Sequence, residues 1–199
     1  MDKQTLIFLG TQGSGKGTQI GLLKEYLAAN NGGRDIVHFE MGKNLRELAA
    51  RDNYAGKQAD EILKGGGLIP YAVSCAVFSD YLFDNVKSGE EHIIIDGFPR
   101  TADQVPALDS AMDYFKRESI TVVVLNISDE EAVKRLLPRG RNDDTEEGIR
   151  KRLAWSREQT MPNLKWFREN APRYTVVEIE SERPIEEVQA EIRQKLGFV

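Results

Sequence analysis

The sequence is poor in cysteine and in long apolar runs, and each shortage removes a class of protein. Cys75 is the single cysteine among 199 residues, which excludes an intramolecular disulfide framework and a cysteine-rich zinc site. The first apolar run, residues 5–9, is too short for a signal peptide or a membrane span. We therefore expect a cytoplasmic protein that has no membrane attachment and no structural zinc.

Positive charge is also in short supply over the chain as a whole. The 27 Lys and Arg residues are outnumbered by 32 Asp and Glu residues, which gives a net charge of -5. A nucleic-acid-binding protein usually carries a basic face, so we expect no nucleic-acid partner. The 40% hydrophobic and 30% charged residues are ordinary for a globular protein. A chain of this length can bury a full core, and we expect one domain over residues 1–199.

Apolar, β-branched runs alternate with helical patterns along the chain. The runs lie at residues 6–9, 36–39, 93–95, 122–127 and 174–179. They are nearly continuous, as expected for strands that are buried on both faces. The helical patterns cover residues 16–29, 70–86, 144–169 and 184–196. This alternation predicts an α/β fold, with a parallel sheet and helices on both of its faces.

A glycine-rich segment joins the first strand to the first helix. Residues 10–18 read GTQGSGKGT, and the glycines permit a backbone that turns successive N–H groups inward at a helix N-terminus. Lys16 would supply a full charge for the β- and γ-phosphates, and Thr18 a hydroxyl near a metal ion. The Gly-Lys-Gly-Thr ending is similar to that of nucleoside monophosphate kinases. The segment predicts ATP contacts from Gly13, Ser14, Gly15, Lys16, Gly17 and Thr18.

The second motif is a strand that ends in an aspartate. Residues 92–100 read HIIIDGFPR, which places Asp96 at the carboxyl end of a strand beside the phosphate loop. There it can orient Mg²⁺ or its waters together with Thr18. Arg100 projects from the same edge, where open α/β sheets bind ligands, and its planar guanidinium suits a phosphate.

These two motifs resemble the phosphate loop and the second signature of the adenylate kinases. Further segments, 38–46, 56–59, 67–70, 141–144 and 150–153, occur in the order that the family has. The resemblance implies a five-stranded parallel sheet of the P-loop NTPase type, a small helical acceptor-binding insertion at residues 31–70 and a minimal lid at residues 135–144. The implied reaction is the reversible transfer of phosphate from Mg-ATP to AMP, and we expect a monomer.

The resemblance also implies roles for individual side chains. Around the transferring phosphoryl group it places Lys16, Arg100, Arg141 and Arg152. On the donor ATP it places Arg135 and Arg139. On the acceptor AMP it places Met41, Arg46, Leu68, Ile69, Gly97, Arg100 and Gln104. Phosphoryl transfer between two anionic groups depends on positioning and on neutralising charge rather than on a strong general base, so a group of cations suits the chemistry.

The sequence departs from the family pattern in three places. Gln12 stands where proline is usual, which removes some rigidity from the loop. Met41 replaces a hydroxyl near the acceptor base. A single residue, Gly140, separates Arg139 from Arg141, where relatives have a loop or a whole lid domain. The short lid predicts a more exposed ATP base, a broader choice of donor triphosphate and closure mainly on the acceptor side.

Two alternatives stay open at this point. Met41 leaves room for a UMP/CMP kinase, whereas Gln104 favours adenine as the acceptor base. From another class, a P-loop nucleotide switch or assembly protein would share the phosphate loop. Such a protein would not need Arg46, Arg100 and Gln104 around a second nucleotide.

Overall fold

The computed structural model describes residues 2–30, 32–139 and 145–198, except for the side chain of Arg139. Its centre is a five-stranded parallel sheet with the strand order β2-β3-β1-β4-β5. The strands are β1 (Thr5–Leu9), β2 (Ile36–Glu40), β3 (His92–Asp96), β4 (Ile120–Asn126) and β5 (Tyr174–Glu180). All five strands that the sequence predicted are present, and the α/β fold class is confirmed.

Helices connect the strands and cover both faces of the sheet. They are α1 (Lys16–Asn30), α2 (Met41–Ala49), α3 (Tyr54–Lys64), α4 (Tyr71–Asn85), α5 (Gln104–Tyr114), α6 (Asp129–Leu136), α7 (Glu146–Trp155), α8 (Asn163–Glu169) and α9 (Ile185–Lys195). A 3₁₀ turn (Leu137–Arg139) follows α6. None of the helices in the described ranges is long and apolar enough to span a bilayer.

The prediction of one helix over residues 144–169 is wrong. The segment consists of α7, a π-helical turn (Ser156–Thr160) and α8. Pro162 explains the break, because a proline has no N–H to donate and its ring clashes with the carbonyl group one turn earlier. In the π turn, the backbone N–H of Met161 donates to the carbonyl of Ser156 instead.

The core has two layers because alternate residues of each strand point to opposite faces of the sheet. On one face, Ile7 packs in a cluster with Phe39, Phe78 and Phe98. On the other face, Phe8 packs in a cluster that includes side chains of α1 and α9. Burying one such large apolar side chain contributes about 1.5–3 kcal/mol. Burial on both sides explains why the strands are continuous apolar runs in the sequence.

Helices α2 and α3 lie between β2 and α4, within the predicted acceptor insertion. Residues 36–40 of that predicted range form strand β2 of the main sheet, so the helical part begins at Met41. Gly56 allows α3 to start close to the end of α2, since a Cβ there would lie 2.1 Å from the carbonyl oxygen of Arg51. In the predicted lid range, residues 140–144 lie outside the described residues.

Candidate active site

The phosphate loop has the backbone conformation that its glycines predict. Gly10, Gly13 and Gly15 have φ values of 136°, 85° and 87°, which L side chains rarely adopt. A Cβ at Gly10 would also lie 2.5 Å from the carbonyl oxygen of Leu125 on β4. The loop therefore packs against the neighbouring strand as it turns into α1, and the helix N-terminus follows at Lys16.

Lys16 lies within the loop. Its Nζ donates to the carbonyl oxygens of Gly10 at 2.8 Å and Thr11 at 2.9 Å. Burial lowers the pKa of the Lys16 ammonium, Asp96 raises it, and Arg100 lowers it. The two carbonyl groups therefore fix the ammonium within the loop, and the negative charge of Asp96 partly offsets the effect of burial on its pKa.

Asp96 ends β3, in register with Phe8 of the central strand and with Glu40 of the edge strand. Burial raises the pKa of its carboxyl group, Lys16 opposes that rise, Glu40 adds to it, and Arg100 opposes it. The carboxylate thus lies among two cations and a second carboxylate. This is the charge environment expected at a phosphate and metal site.

Arg100 follows β3 and is fixed by its own loop. Its Nε donates to the carbonyl oxygen of Gly97 at 2.9 Å. Gly97 has a φ of 75°, and a Cβ there would lie 3.2 Å from Nη2 of Arg100. Burial lowers the pKa of the Arg100 guanidinium, and Asp96 raises it. Gly97 therefore leaves space for the Arg100 guanidinium beside the carboxyl end of β3.

The peptide groups of Arg100 are also fixed from outside the loop. Its backbone N–H donates to Oε1 of Gln104 at 2.7 Å, and its carbonyl oxygen accepts from Oγ1 of Thr160 at 2.8 Å. Gln104 and Thr160 are both buried. Sequence reasoning did not identify Thr160, because nothing in the local pattern shows which distant residue meets Arg100.

Arg46 approaches from the helical insertion. Its Nη2 lies 3.3 Å from Oε1 of Glu40, and the two side chains are 54% and 39% exposed. Gly42, on the same helix, leaves space for this pair, since a Cβ there would lie 3.2 Å from Nη1 of Arg46. Arg46 is thus an exposed cation whose charged neighbour is a carboxylate.

One cleft of about 1690 Å³ joins these elements. The predicted site residues that line it are Gly13, Ser14, Gly15, Lys16, Gly17, Thr18, Arg46, Leu68, Asp96, Gly97, Arg100, Arg135 and Arg152. Met41 and Ile69 are buried in the core instead, and Gln104 is buried beneath Arg100. The predicted contact of Arg141, and that of the Arg139 side chain, lie outside the described residues. The predicted ligand contacts stay predictions.

Residues that follow β5 also line the cleft, and the sequence analysis did not predict them. We call this segment the far wall. It includes Ser181, Arg183, Pro184, Ile185 and Val188. The rule that ligands bind at the carboxyl ends of parallel strands could have indicated this segment. Two hydrogen bonds hold this segment beside the cleft. The Arg135 side chain donates to the carbonyl of Ser181 at 3.0 Å. Gln19 of α1 donates to the carbonyl of Ile185 at 3.0 Å.

Thr18 and Asp96 are the residues here that could help to hold Mg²⁺. Both line the cleft that the phosphate loop opens into, and a hydroxyl and a carboxylate are suitable oxygen donors. Among the described residues, no group of three or more His, Cys, Asp and Glu side chains is arranged to hold a metal ion. A Mg²⁺ ion bound beside Thr18 and Asp96 would take its other oxygen ligands from water and from substrate phosphates.

The glycine-rich loop follows the central strand β1, and Asp96 ends the neighbouring strand β3. Together with the arginines that line the same cleft, these features define a P-loop nucleoside monophosphate kinase. Comparison with known proteins gives the same class. The adenylate kinase family model matches residues 8–172. The chain belongs to the adenylate kinase family.

Curated relatives match nearly the whole chain. An adenylate kinase of Prochlorococcus marinus (strain MIT 9211) is 34% identical, with 99% of each chain covered. Adenylate kinase 1 of Synechocystis sp. is 35% identical, over 92% of this chain and 91% of the relative. An adenylate kinase of Corynebacterium aurimucosum is 31% identical, over 96% and 98%. The similarity therefore includes the insertion and the far wall as well as the phosphate loop.

Proposed function

We propose that the protein catalyses the reversible transfer of the γ-phosphoryl group of Mg-ATP to AMP, which gives two ADP. The observation that carries this proposal is the position of Arg100. It lines the same cleft as the phosphate loop, Lys16 and Asp96. Burial lowers the pKa of both Lys16 and Arg100, whereas the charge of Asp96 raises the pKa of both. A donor phosphate on the loop and an acceptor phosphate on Arg100 would meet at this point.

On the donor side, the amides of the loop and Lys16 bind the β- and γ-phosphates of ATP. Mg²⁺, near Thr18 and Asp96, supplies further neutralisation of phosphate charge when it is bound. Arg152 and Arg141 act on the transferring group. Arg135 lies on the wall of the cleft opposite the insertion, and we propose that it contacts the donor nucleotide. From the sequence, the same role is proposed for Arg139.

On the acceptor side, Arg100 and Arg46 bind the phosphate of AMP from opposite directions. The base of AMP lies toward Leu68 and Gly97, which line the cleft. Met41 and Ile69 lie behind these two residues, in the core. Gln104 already uses Oε1 to accept from the Arg100 backbone, which leaves its amide NH₂ group for a base. This group can donate to adenine or to a pyrimidine. A UMP/CMP kinase is therefore the second candidate, and Met41 leaves the choice of base open.

The monomer is sufficient for this reaction, because one chain supplies cations to both sides of the cleft. We place the protein in the cytoplasm, where ATP and AMP are available to it. The short lid leaves the donor base with few contacts from that side, so GTP and CTP should also serve as donors, at reduced efficiency.

A coupled assay of purified protein tests the proposal. ATP with Mg²⁺ is offered together with AMP, UMP, CMP or GMP, and the reverse reaction is followed from ADP alone. We expect the highest kcat/KM with AMP, and loss of activity when a chelator removes the metal. Turnover of UMP or CMP above that of AMP would support the second candidate, and no transfer to any monophosphate would contradict the kinase assignment.

A further inference from the structure

Thr160 contacts Arg100, although it has no role in the proposed reaction described above. Its hydroxyl Oγ1 donates to the backbone carbonyl of Arg100 at 2.8 Å, across 60 positions of sequence. Thr160 is 6% exposed, and it lines the cleft that contains Arg100. The bond is partly buried, and a carbonyl in such a position that loses its donor carries part of the desolvation cost of an unsatisfied acceptor. The bond therefore favours one orientation of this peptide group.

The peptide on the other side of Arg100 is held as well, by Oε1 of Gln104 at 2.7 Å. The guanidinium adds a third bond, from Nε to the carbonyl of Gly97 at 2.9 Å. Thr160 and Gln104 thus fix the two peptide groups from which the Arg100 side chain extends. A small rotation of either peptide would move the guanidinium, which lies several bonds away.

Thr160 is the last residue of the π turn (Ser156–Thr160). A π turn contains one more residue than a turn of α-helix and changes the direction of the side chains that follow it, and such turns often occur at functional sites. The turn continues α7, which carries Arg152 and Trp155 into the same cleft. Arg157 of the turn also pairs with Asp129 of α6 at 2.7 Å.

We propose that Thr160 is a positioning residue, which holds Arg100 at the acceptor phosphate and fixes its distance from the Arg152 helix. This inference rests on the proposed function, because Arg100 must bind the acceptor for its position to matter. Although Thr160 lines the cleft, this account gives it no contact with either substrate. Its effect passes through the Arg100 backbone, so it should change acceptor use and leave donor binding unchanged.

Thr160→Val tests the inference, because valine keeps the shape and removes the hydroxyl. We expect kcat/KM for AMP to fall about tenfold, since a displaced catalytic arginine and an unpaired carbonyl act together. The Kd for ATP, measured by calorimetry, should stay within about twofold. Thr160→Ser, which restores the donor, should recover most of the loss.

Tyr81→Phe is the matched control for stability. Its hydroxyl also donates to a backbone carbonyl, that of His38, at 2.6 Å, and Tyr81 does not line the cleft described above. Both Tyr81→Phe and Thr160→Val should lower Tm by about 2–4 °C. Only Thr160→Val should change the kinetics with AMP. Should the valine variant not fold, Thr160→Ala replaces it in the same comparison.

A double variant shows whether Thr160 acts through Arg100. In an Arg100→Ala background, Thr160→Val should have little further effect on kcat/KM for AMP. Full additivity, parental kinetics in Thr160→Val, or an equal loss for ATP and AMP would each overturn the inference. If the parent protein transfers no phosphate to any monophosphate, the proposed function fails instead, and the two failures are thus distinguishable.

Discussion

The two arginines proposed for the acceptor phosphate are held in different ways. Arg100, at the sheet edge, is partly buried and bonded through its Nε and through both of its peptide groups. Arg46, on the helical insertion, has a side chain that is 54% exposed and pairs with Glu40. The sheet side of the cleft is therefore formed before a substrate binds, and the insertion side is adjustable.

The cost of moving each arginine is expected to differ in the same way. An exposed ion pair such as that of Arg46 and Glu40 is worth about 0–1 kcal/mol, so a phosphate can readily displace the carboxylate. Burial lowers the pKa of Arg100, and the nearby carboxylate of Asp96 opposes this shift. The fixed arginine needs neighbours that compensate for its desolvation, whereas the exposed arginine stays in contact with water.

The largest effect should come from Lys16, which belongs to the fixed side. Lys16→Met removes the charge within the phosphate loop and keeps much of the stem. We expect kcat to fall about a thousandfold, because the ammonium stabilises charge on the transferring phosphate. Lys165→Met, on the exposed side of α8, is the control and should keep parental rates. Near-normal turnover in Lys16→Met would mean that the loop does not hold the donor.

Lysine substitutions compare the two arginines directly. Arg100→Lys should lower kcat/KM for AMP about 100-fold, because lysine lacks the planar group that bonds Gly97 and the phosphate together. Arg46→Lys should cost about tenfold or less, because an exposed and adjustable cation can be replaced more easily. Steady-state kinetics with AMP as the variable substrate measure both. Equal losses would remove the distinction between the two sides.

Two substitutions of Gln104 distinguish its two proposed roles, which are to hold the Arg100 backbone and to recognise the acceptor base. Gln104→Ala removes the oxygen that accepts from the Arg100 backbone, and kcat/KM for AMP should fall about tenfold. Gln104→Glu keeps an oxygen acceptor and removes the amide donor. If the amide reads adenine, the glutamate variant loses its preference for AMP over UMP and CMP. An unchanged preference in both variants would show that adenine is recognised elsewhere.

The smallest effect should come from Glu40, on the adjustable side. Glu40→Gln releases Arg46 and removes a negative charge beside the acceptor phosphate. The KM for AMP should fall about threefold, as expected for an exposed pair. Glu47→Gln, which loses an exposed pair with Lys43 on the same helix, serves as the control. A rise in KM for Glu40→Gln would mean that the carboxylate positions Arg46 rather than competing for it.

The sequence predicted the sheet, the phosphate loop and the place of Asp96 because their signals are local. Continuous apolar runs indicate buried parallel strands, and the phosphate loop and Asp96 lie directly at strand ends. The contact between Thr160 and Arg100 spans 60 positions and involves the last residue of a π turn, which no local pattern indicates. The wall after β5 was missed for a similar reason, since it joins the cleft only when the sheet has formed.

Crystal structures without substrates, and with AMP and a non-hydrolysable ATP analogue, test the central claim most directly. The account predicts that the Arg100 guanidinium keeps its bond to Gly97 and moves by less than about 1 Å. Arg46 should leave Glu40 and bind the acceptor phosphate. An Arg100 side chain that moves as far as that of Arg46, or an Arg46–Glu40 pair that persists with AMP bound, would contradict it.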